Sequence, residues 1–588
     1  MNPFRLPPAA DMSRRRFVQG MAIGGAAAAF GMLRPAGAFV PQQDLFGASV
    51  LSGTDFALEI GQATVNYTGR RSLATTVNGR LPGPTLRWKE GSHVRLSVTN
   101  RLRVPTSIHW HGIVLPFQMD GVPGISFGGI APGETFVYQF QLRQAGTYWY
   151  HAHSGYQEQT GLFGALIIEP IQPDLHAVAR DYVVMLNDWS DDDPAHIFAR
   201  LKQQSDYYDT HLPTVSDFMR DARREGLREA FAMRKMWNAM RMNPTDLSDV
   251  SAYTYTYLLN GHTPAGNWTG LFRPGERIRL RFINGSAMTL FDVRIPGLKM
   301  TIVSADGQDV EPVQVDEFRI ANAETYDVLV EPQEERAYTV FAQSIDRSGY
   351  ARGTLAPRYG MEADVPVLEP RIWLGAQDMM GAMPPGPHGA QDMQGMESMR
   401  DMPGMAMRSM PASDIKPANS PPPATAPGVD MRVTHPRTNL DDPGAGLRDN
   451  GRRVLAYADL RTLGGSLDAR EPQREITLHL TGNMERYMWS FDGVKFSEAS
   501  PIRFNTGERL RIVLVNDTMM NHPIHLHGMW SELEDAQGQF QVRKHTINVQ
   551  PAQQLRYAVS ADNPGRWAYH CHMLFHMQAG MFREVVVA

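Results

Sequence analysis

Short runs in which apolar and polar residues alternate recur along most of the chain, and they predict β-strands. Ala63, Val65 and Tyr67 are apolar positions two apart, as expected for a strand with one buried face. A turn sequence, Leu81-Pro82-Gly83-Pro84, follows this run. The chain also contains 52 Gly and 41 Pro, a turn-rich composition that favours many short strands over long helices. The pattern therefore predicts an all-β protein.

One strand pattern occurs three times and indicates an internal repeat. In residues 91–100, 275–284 and 507–516, alternating apolar positions stand between a glycine and an asparagine nine positions later. Because 588 residues exceed what one hydrophobic core organises, several domains are expected. We predict three related β-sandwich domains. They span residues 50–170, 175–375 and 454–588.

Two segments do not fit the repeat. Residues 195–243 are rich in charged residues and methionine with helical spacing, which predicts a helical insertion in the second domain. Residues 377–453 are rich in Pro, Gly, Asp and Met and poor in β-formers. This composition predicts a Met-rich disordered linker before the third domain.

The N-terminus has the pattern of an export signal. Ser13-Arg14-Arg15-Arg16-Phe17-Val18 precedes an apolar run from Gly20 to Leu33, and Ala36-Gly37-Ala38 supplies a small-x-small cleavage pattern. Paired arginines in this position are typical of twin-arginine signals. The apolar run is shorter than the roughly 20 residues needed to span a membrane, so no stable span is expected. We predict a twin-arginine signal peptide at residues 1–38, the Tat export machinery as a partner, and a periplasmic protein.

Charge and cysteine content narrow the function classes. The formal net charge is −5, and it becomes more negative without the arginine-rich leader, which argues against nucleic acid or an anionic membrane as a partner. Cys571 is the only cysteine, so no intrachain disulfide can form. A single thiol in an oxidising compartment is expected to be either buried or bound to a metal.

The segment around this cysteine predicts a metal site. Residues 569–581 contain three His, the cysteine and three Met. On a strand, His570 and His572 would point to one face and Cys571 to the other. Cys571, His576, a distant second His and a weak axial Met581 would form the His2Cys-plus-Met set of a blue-copper electron-transfer site.

Four His-x-His pairs in the chain suggest a second metal centre. Each pair places both imidazoles on one face of a strand. Two pairs fall in the first domain and two in the third, so eight imidazoles could meet at an interface and hold three coppers. His522, close to the third pair, could supply the missing imidazole of the Cys571 site. The pairs are His109 with His111, His151 with His153, His525 with His527, and His570 with His572.

These motifs, His109-Trp-His-Gly112, His151-Ala-His153, His522-Pro-Ile-His-Leu-His-Gly528 and His570-Cys-His-Met-Leu-Phe-His576, resemble those of three-domain multicopper oxidases. The resemblance implies three cupredoxin-like Greek-key sandwiches and four copper ions. The implied type 1 ligands are His522, Cys571, His576 and Met581. The implied type 2 ligands are His109 and His525. The implied type 3 ligands are His111, His151 and His572 for one copper and His153, His527 and His570 for the other.

The resemblance also implies an activity. Single electrons from a reductant would enter at the type 1 copper and pass through Cys571 to the other three coppers, where O2 is reduced to water. Oxygen reduction needs protons, and Asp120 stands where the family often keeps an acid. The alternative is that Asp120 is a turn former before Gly121.

A methionine tract bears on the substrate. Ten of the 33 Met fall between residues 379 and 410, and thioethers select Cu(I). The tract, the leader and the motif ending at Met581 most resemble the periplasmic copper-resistance oxidases of bacteria, which implies Cu(I), and possibly phenols, as substrate and extra Cu(I) at the tract. Three readings stay open: a Cu(I) oxidase, a copper-sequestering protein, and a laccase-like phenol oxidase with the tract as a spacer.

Overall fold

The computed structural model describes residues 49–239, 243–382 and 428–588. These residues form six β-sheets with few helices, which confirms the all-β prediction. The predicted signal peptide, residues 1–38, lies outside the described residues. Within the described part, no helix is both long enough and apolar enough to cross a membrane.

Residues 49–170 contain the nine strands of the first sandwich. The strands are β1 (Val50–Ser52), β2 (Asp55–Val65), β3 (Ser72–Val77), β4 (Gly83–Lys89), β5 (His93–Asn100), β6 (His109–His111), β7 (Thr135–Gln141), β8 (Gly146–His151) and β9 (Phe163–Glu169). They form two sheets, in the orders β1-β4-β9-β8-β6 and β3-β2-β5-β7. Leu58, Trp88 and Tyr150 are buried in one core that both sheets line.

The described residues between 180 and 356 form the eleven strands of the second sandwich. The strands are β10 (Arg180–Trp189), β11 (Thr256–Leu259), β12 (Trp268–Leu271), β13 (Ile278–Asn284), β14 (Phe291–Arg294), β15 (Met300–Ala305), β16 (Gln308–Val315), β17 (Glu317–Ile320), β18 (Thr325–Val330), β19 (Tyr338–Ser344) and β20 (Tyr350–Ala356). Their sheet orders are β11-β10-β13-β18-β15-β16 and β12-β20-β19-β14-β17.

Residues 474–587, all of which are described, form the eleven strands of the third sandwich. The strands are β21 (Arg474–Asn483), β22 (Met488–Phe491), β23 (Ile502–Phe504), β24 (Arg509–Asn516), β25 (His522–Leu526), β26 (Ser531–Glu534), β27 (Phe540–Lys544), β28 (Thr546–Val549), β29 (Gln554–Ser560), β30 (Gly565–Cys571) and β31 (Phe582–Val587). The orders β22-β21-β24-β29-β26-β27 and β23-β31-β30-β25-β28 repeat those of the second sandwich strand for strand.

The sequence repeat corresponds to one strand position. Strands β5, β13 and β24 each pair in parallel with the first long strand of their sandwich and antiparallel with a later one. The asparagine that ends the repeat makes the same kind of contact each time, because its amide donates to at least two main-chain carbonyls farther along the chain. Its side-chain oxygen accepts from the backbone N–H two residues on, a local turn typical of asparagine.

Helices form where the charged, Met-containing pattern predicted them. The described part of the insertion contains α1 (Pro194–Gln203), α2 (Val215–Glu225) and α3 (Leu227–Ala239). Asp193 caps α1, and Thr214 with Asp217 forms a capping box at α2. Two short helices lie elsewhere in the described chain, α4 (Ala376–Met380) and α5 (Leu574–Ala579).

The predicted linker, residues 377–453, has to be corrected at both ends. Met379 is buried, and Val433 and Leu440 are buried as well. The backbone N–H of Val433 donates to Asp517 of the third sandwich at 2.9 Å. Residues 428–453 therefore have fixed contacts although they are poor in β-formers, because the neighbouring sandwiches supply the partners that the segment lacks. The methionines from Met383 to Met410 lie outside the described residues.

Candidate metal centre

The four His-x-His pairs begin on two pairs of neighbouring strands, β6 and β8 in the first sandwich and β25 and β30 in the third. His109 on β6 stands directly opposite His151 on β8. His525 on β25 stands directly opposite His570 on β30. Each strand pair therefore places two His-x-His motifs side by side, with alternate side chains on the same face.

The structure brings the imidazoles of the first and third sandwiches together. The ring centres of His109 and His527 are 4.0 Å apart, and those of His111 and His525 are 3.9 Å apart and stacked. Nε2 of His153 lies 3.3 Å from Nε2 of His570. The histidines of the first and third sandwiches thus meet at an interface, as the positions of the four pairs predicted.

Three groups of these histidines have nitrogen atoms that all lie within 4.8 Å of one another. Two groups coincide with the residue sets that the resemblance implied for the type 3 coppers. The third joins the implied type 2 pair to one shared histidine. The groups are His111, His151 and His572; His153, His527 and His570; and His109, His111 and His525.

The nitrogen atoms that face one another suit a bound cation. Nε2 of His109, His151 and His525 and both ring nitrogens of His572 are buried without a hydrogen-bond partner. Buried polar atoms are normally paired, because an unpaired one costs about 1–3 kcal/mol. Imidazole nitrogen is a preferred ligand of copper. Copper ions among these rings would satisfy Nε2 of His109, His151 and His525 and one ring nitrogen of His572, so the residues fit the metal.

Hydrogen bonds behind the rings aim Nε2 toward the centre. His109 donates from Nδ1 to the carbonyl of Asp120 at 2.7 Å, and His527 Nδ1 lies 2.9 Å from Oδ2 of the same residue. Asp120 is buried, and it contacts one histidine of the first sandwich and one of the third. Such partners fix the tautomer of a ligating histidine.

Other ligand candidates have different partners at Nδ1. His151 Nδ1 lies 2.7 Å from Oε2 of Glu158. His525 donates to the carbonyl of His545 at 2.6 Å, and His570 donates to the carbonyl of Cys571 at 2.9 Å. Burial and neighbouring acid raise the pKa of the Glu158 carboxyl well above its usual range.

A second cluster surrounds Cys571. Its Sγ lies 3.6 Å from Nδ1 of His522 and 3.7 Å from Nδ1 of His576, and the two nitrogens are 3.2 Å apart. All three side chains are buried. Met581 is buried, and its carbonyl accepts from the Cys571 backbone at 3.1 Å. Burial raises the pKa of the Cys571 thiol, so a cation beside it is what would favour the thiolate.

The distal nitrogens of this cluster also have partners. His576 Nε2 lies 2.7 Å from Oδ2 of Asp249, and the same oxygen accepts from the Tyr487 hydroxyl at 2.8 Å. His522 Nε2 lies 2.7 Å from the Thr518 hydroxyl. Both histidines are therefore oriented with Nδ1 toward the sulfur.

Sequence reasoning missed several residues that contact ligand candidates directly, among them Asp249, Glu158 and His545. Asp249 belongs to the second sandwich, which contains no His-x-His pair. Glu158 follows a histidine motif by five residues, which is the one local signal that could have found it. His545 is an isolated histidine without a motif.

Three models of the multicopper oxidase family match residues 59–173, 180–359 and 469–588. The chain belongs to the multicopper oxidases. Among curated relatives, copper resistance protein A of Escherichia coli is 55% identical, with 98% of this chain and 99% of that protein covered. Copper resistance protein A of Pseudomonas syringae pv. tomato is 56% identical over the same shares. This multicopper oxidase is thus an oxidoreductase that is similar over nearly its whole length to copper resistance protein A. Its family uses copper as cofactor.

Solved structures of multicopper oxidases share the fold. Fet3p, described as a multicopper oxidase that functions in iron import, aligns with a TM-score of 0.62 at 19% identity and covers 91% of this chain and 90% of its own. The laccase from Botrytis aclada aligns with a TM-score of 0.62 at 21% identity, over 93% of this chain and 89% of its own. The cupredoxin-like architecture of this oxidase is therefore confirmed.

Proposed function

We propose that this multicopper oxidase is a periplasmic enzyme that couples the one-electron oxidation of Cu(I) to the four-electron reduction of O2 to water, and so contributes to copper resistance. The observation that carries the proposal is the position of Cys571. It faces one buried ligand set, while His570 and His572, its chain neighbours, face the other. One strand end thus joins an electron entry site to an oxygen-reducing site.

We assign the copper ligands as the resemblance implied. The single copper of the entry site would be held by His522, Cys571, His576 and Met581. The other three would be held by His109 and His525, by His111, His151 and His572, and by His153, His527 and His570. Bound copper supplies a one-electron couple at the first site and the oxygen-reducing centre at the second.

The chain's own residues have two tasks around these sites. Peptide bonds connect Cys571 to the histidines on either side, so the route between the sites is covalent and short. Asp120 is buried between the two histidine sets, and its Oδ1 has no hydrogen-bond partner. We propose that this carboxyl holds and passes protons needed for oxygen reduction.

Packing over the entry site favours a small reductant. His576 is fully buried, and the neighbouring Phe575 ring lies 5.9 Å from both Tyr156 and Phe198. Phe198 lies on α1, and Lys202 of the same helix donates to the Tyr487 carbonyl. Helix α1 therefore packs over the residues next to the entry site, and this cover supports a small reductant such as Cu(I) over a flat phenol.

The test is oxygen uptake by the copper-loaded enzyme, measured separately with Cu(I) and with a phenol. We expect faster uptake with Cu(I), and a catalytic ratio in which four Cu(I) are consumed for each O2. Copper binding without oxygen uptake would favour sequestration instead. Equal or faster turnover of the phenol without added copper would favour a laccase-like enzyme.

A further inference from the structure

We propose that His545 is a positioning residue that holds His111 so that Nδ1 of His111, rather than Nε2, faces the copper cluster. The proposal rests on the assignment of His111 as a copper ligand. His545 lies in the turn between β27 and β28, in none of the motifs that define the ligand set.

The hydrogen bonds of His111 are reversed relative to its neighbours. In His109, His151 and His525 the Nδ1 atom has a protein partner and the buried Nε2 atom has none. In His111 the buried Nδ1 atom has no partner. Its Nε2 lies 3.1 Å from Nδ1 of His545. The side of the ring that is free for a metal is therefore the opposite one.

Coordination through Nδ1 determines the proton positions on both rings. A nitrogen that binds a metal must be unprotonated, so Nε2 of His111 carries the hydrogen. That hydrogen needs an acceptor, and Nδ1 of His545 can accept when His545 is neutral with its own hydrogen on Nε2.

All three sandwiches hold His545 in place. The backbone N–H groups of His545 and Thr546 both donate to Oδ2 of Asp306, each at 3.1 Å. Asp306 belongs to the second sandwich and is itself paired with the buried Lys544 ammonium at 3.1 Å. The carbonyl of His545 accepts from His525. One residue thus contacts a ligand candidate of the first sandwich through its ring and one of the third through its backbone.

The motif glycine of the first sandwich makes room for the ring. Gly112 has a φ of +80°, and a Cβ atom there would lie 2.4 Å from Cδ2 of His545. On its other side the His545 ring stacks on Trp530 with ring centres 6.3 Å apart. The His545 ring is therefore packed between Gly112 and Trp530, beside His111.

Thr546 is the competing acceptor. Its hydroxyl lies 3.2 Å from Nε2 of His111 and 3.1 Å from Nδ1 of His545. A hydroxyl can both donate and accept, so it could satisfy His111 alone. The experiment has to separate the two residues.

The experiment compares five variants of the full-length chain with the wild type. H545L removes the acceptor at similar volume, H545N keeps an acceptor at the position of Nδ1, and H545Q moves it outward. T546V removes the competing hydroxyl. H479L serves as the matched control, because His479 is a buried histidine paired with Asp517 at 2.7 Å and belongs to no ligand set.

Each variant is measured in three ways. The first is its affinity for copper in competition with a chelator. The second is the near-ultraviolet and electron paramagnetic resonance signals of the two proposed type 3 coppers, here called the coupled pair, and the third is the blue absorption of the Cys571 site. We expect H545L to weaken binding of the coupled pair about 10- to 100-fold, the usual loss for a residue that orients a metal ligand. The blue absorption should not change, and H545N should behave like the wild type.

Several outcomes would overturn the proposal. The first is a normal coupled pair in H545L, and the second is an equal loss of copper affinity in H545N and H545L. The third is a loss of copper affinity in H545L no larger than in H479L, and the fourth is a loss of copper affinity in T546V alone. If H545L does not fold, a normal H545N beside a damaged H545Q supports the role, and equal behaviour of the two overturns it. A wild-type chain without any coupled pair would instead refute the ligand assignment on which the proposal rests.

Discussion

The Asp249 carboxylate of the second sandwich lies 2.7 Å from Nε2 of His576 in the third. Both residues are fully buried. The same carboxylate oxygen accepts from the Tyr487 hydroxyl. The domain without His-x-His motifs therefore orients a ligand of the proposed entry site.

Asp249→Asn should raise the reduction potential of the blue copper and weaken its binding about 10-fold. A carboxylate behind a ligating imidazole makes the ligand more basic and stabilises the oxidised metal, and an amide does this less well. Potentiometric titration of the blue absorption measures the change. Tyr487→Phe is the control, because it removes the hydroxyl bond to Asp249 and leaves the contact with His576. A potential in D249N equal to that of Y487F would contradict the role of the charge.

Cys571→Ser should abolish the blue colour and oxidase turnover while the three other coppers stay bound. A serine hydroxyl has nearly the same shape but cannot supply the soft thiolate ligand. Copper content per chain, absorption spectra and oxygen uptake test this together. If the serine variant remains blue, Cys571 is not the ligand of the entry site.

Asp120→Asn should slow oxygen reduction by about 100-fold, the usual scale for loss of a positioned proton donor. Reduction of the blue copper by substrate should continue at its normal rate. The amide oxygen can still accept from His527, so ligand orientation is kept while proton transfer is lost. Stopped-flow bleaching of the blue band separates the two steps. Unchanged turnover across the pH range would return Asp120 to its role as a turn former.

Acidification should destabilise the copper-free protein. Burial lowers the pKa of His545 and of His570 to about 4, whereas an unfolded histidine has a pKa of about 6.5. Below pH 6.5 the unfolded chain therefore binds more protons, and the free energy of unfolding falls by about 1 kcal/mol per pH unit for each such histidine until the folded pKa is reached. Urea unfolding of chelator-treated protein at pH 7.5 and pH 5 tests the sign. Equal stability at the two values would contradict the burial of neutral rings.

Deletion of residues 383–410 should leave the blue colour and four coppers intact, since no assigned ligand lies in this range. The deletion begins beyond Met379 because that side chain is buried in the folded protein. Cu(I) oxidation should slow, because thioethers raise the local concentration of Cu(I), while phenol oxidation should not. The ratio of the two rates, in wild type and deletion, is the measurement. A constant ratio would make the tract a spacer.

Local periodicity was sufficient to predict that each His-x-His pair shares one face of a strand, whereas the ligand sets of the individual coppers came from the resemblance to multicopper oxidases. His109 and His111, or His525 and His527, share a face simply because strand side chains alternate, and this holds before any tertiary contact forms. The recurring glycine-to-asparagine strand indicated the repeat for the same reason. Both features are encoded within ten residues of chain.

The residues behind the ligands could not be predicted in this way. Asp249 is 327 positions from His576, and His545 is 434 positions from His111. Their roles arise only when separate sandwiches pack, and a single buried acid or histidine has no pattern of its own. The ordered segment 428–453 escaped prediction for a similar reason, because its stability comes from neighbours such as Asp517 and not from its own composition.

The order of the ligands along the chain has a consequence for biosynthesis. His153 and His570 face each other across 417 positions, so the ribosome completes the first four histidines of the proposed oxygen-reducing site long before the other four. The proposed copper cluster needs ligands from the first and the third sandwich, so it requires both sandwiches to be synthesised and packed together. A chain that ends before β30 keeps six of the eight His-x-His histidines but lacks His570, Cys571 and His572, so it cannot complete either proposed copper site.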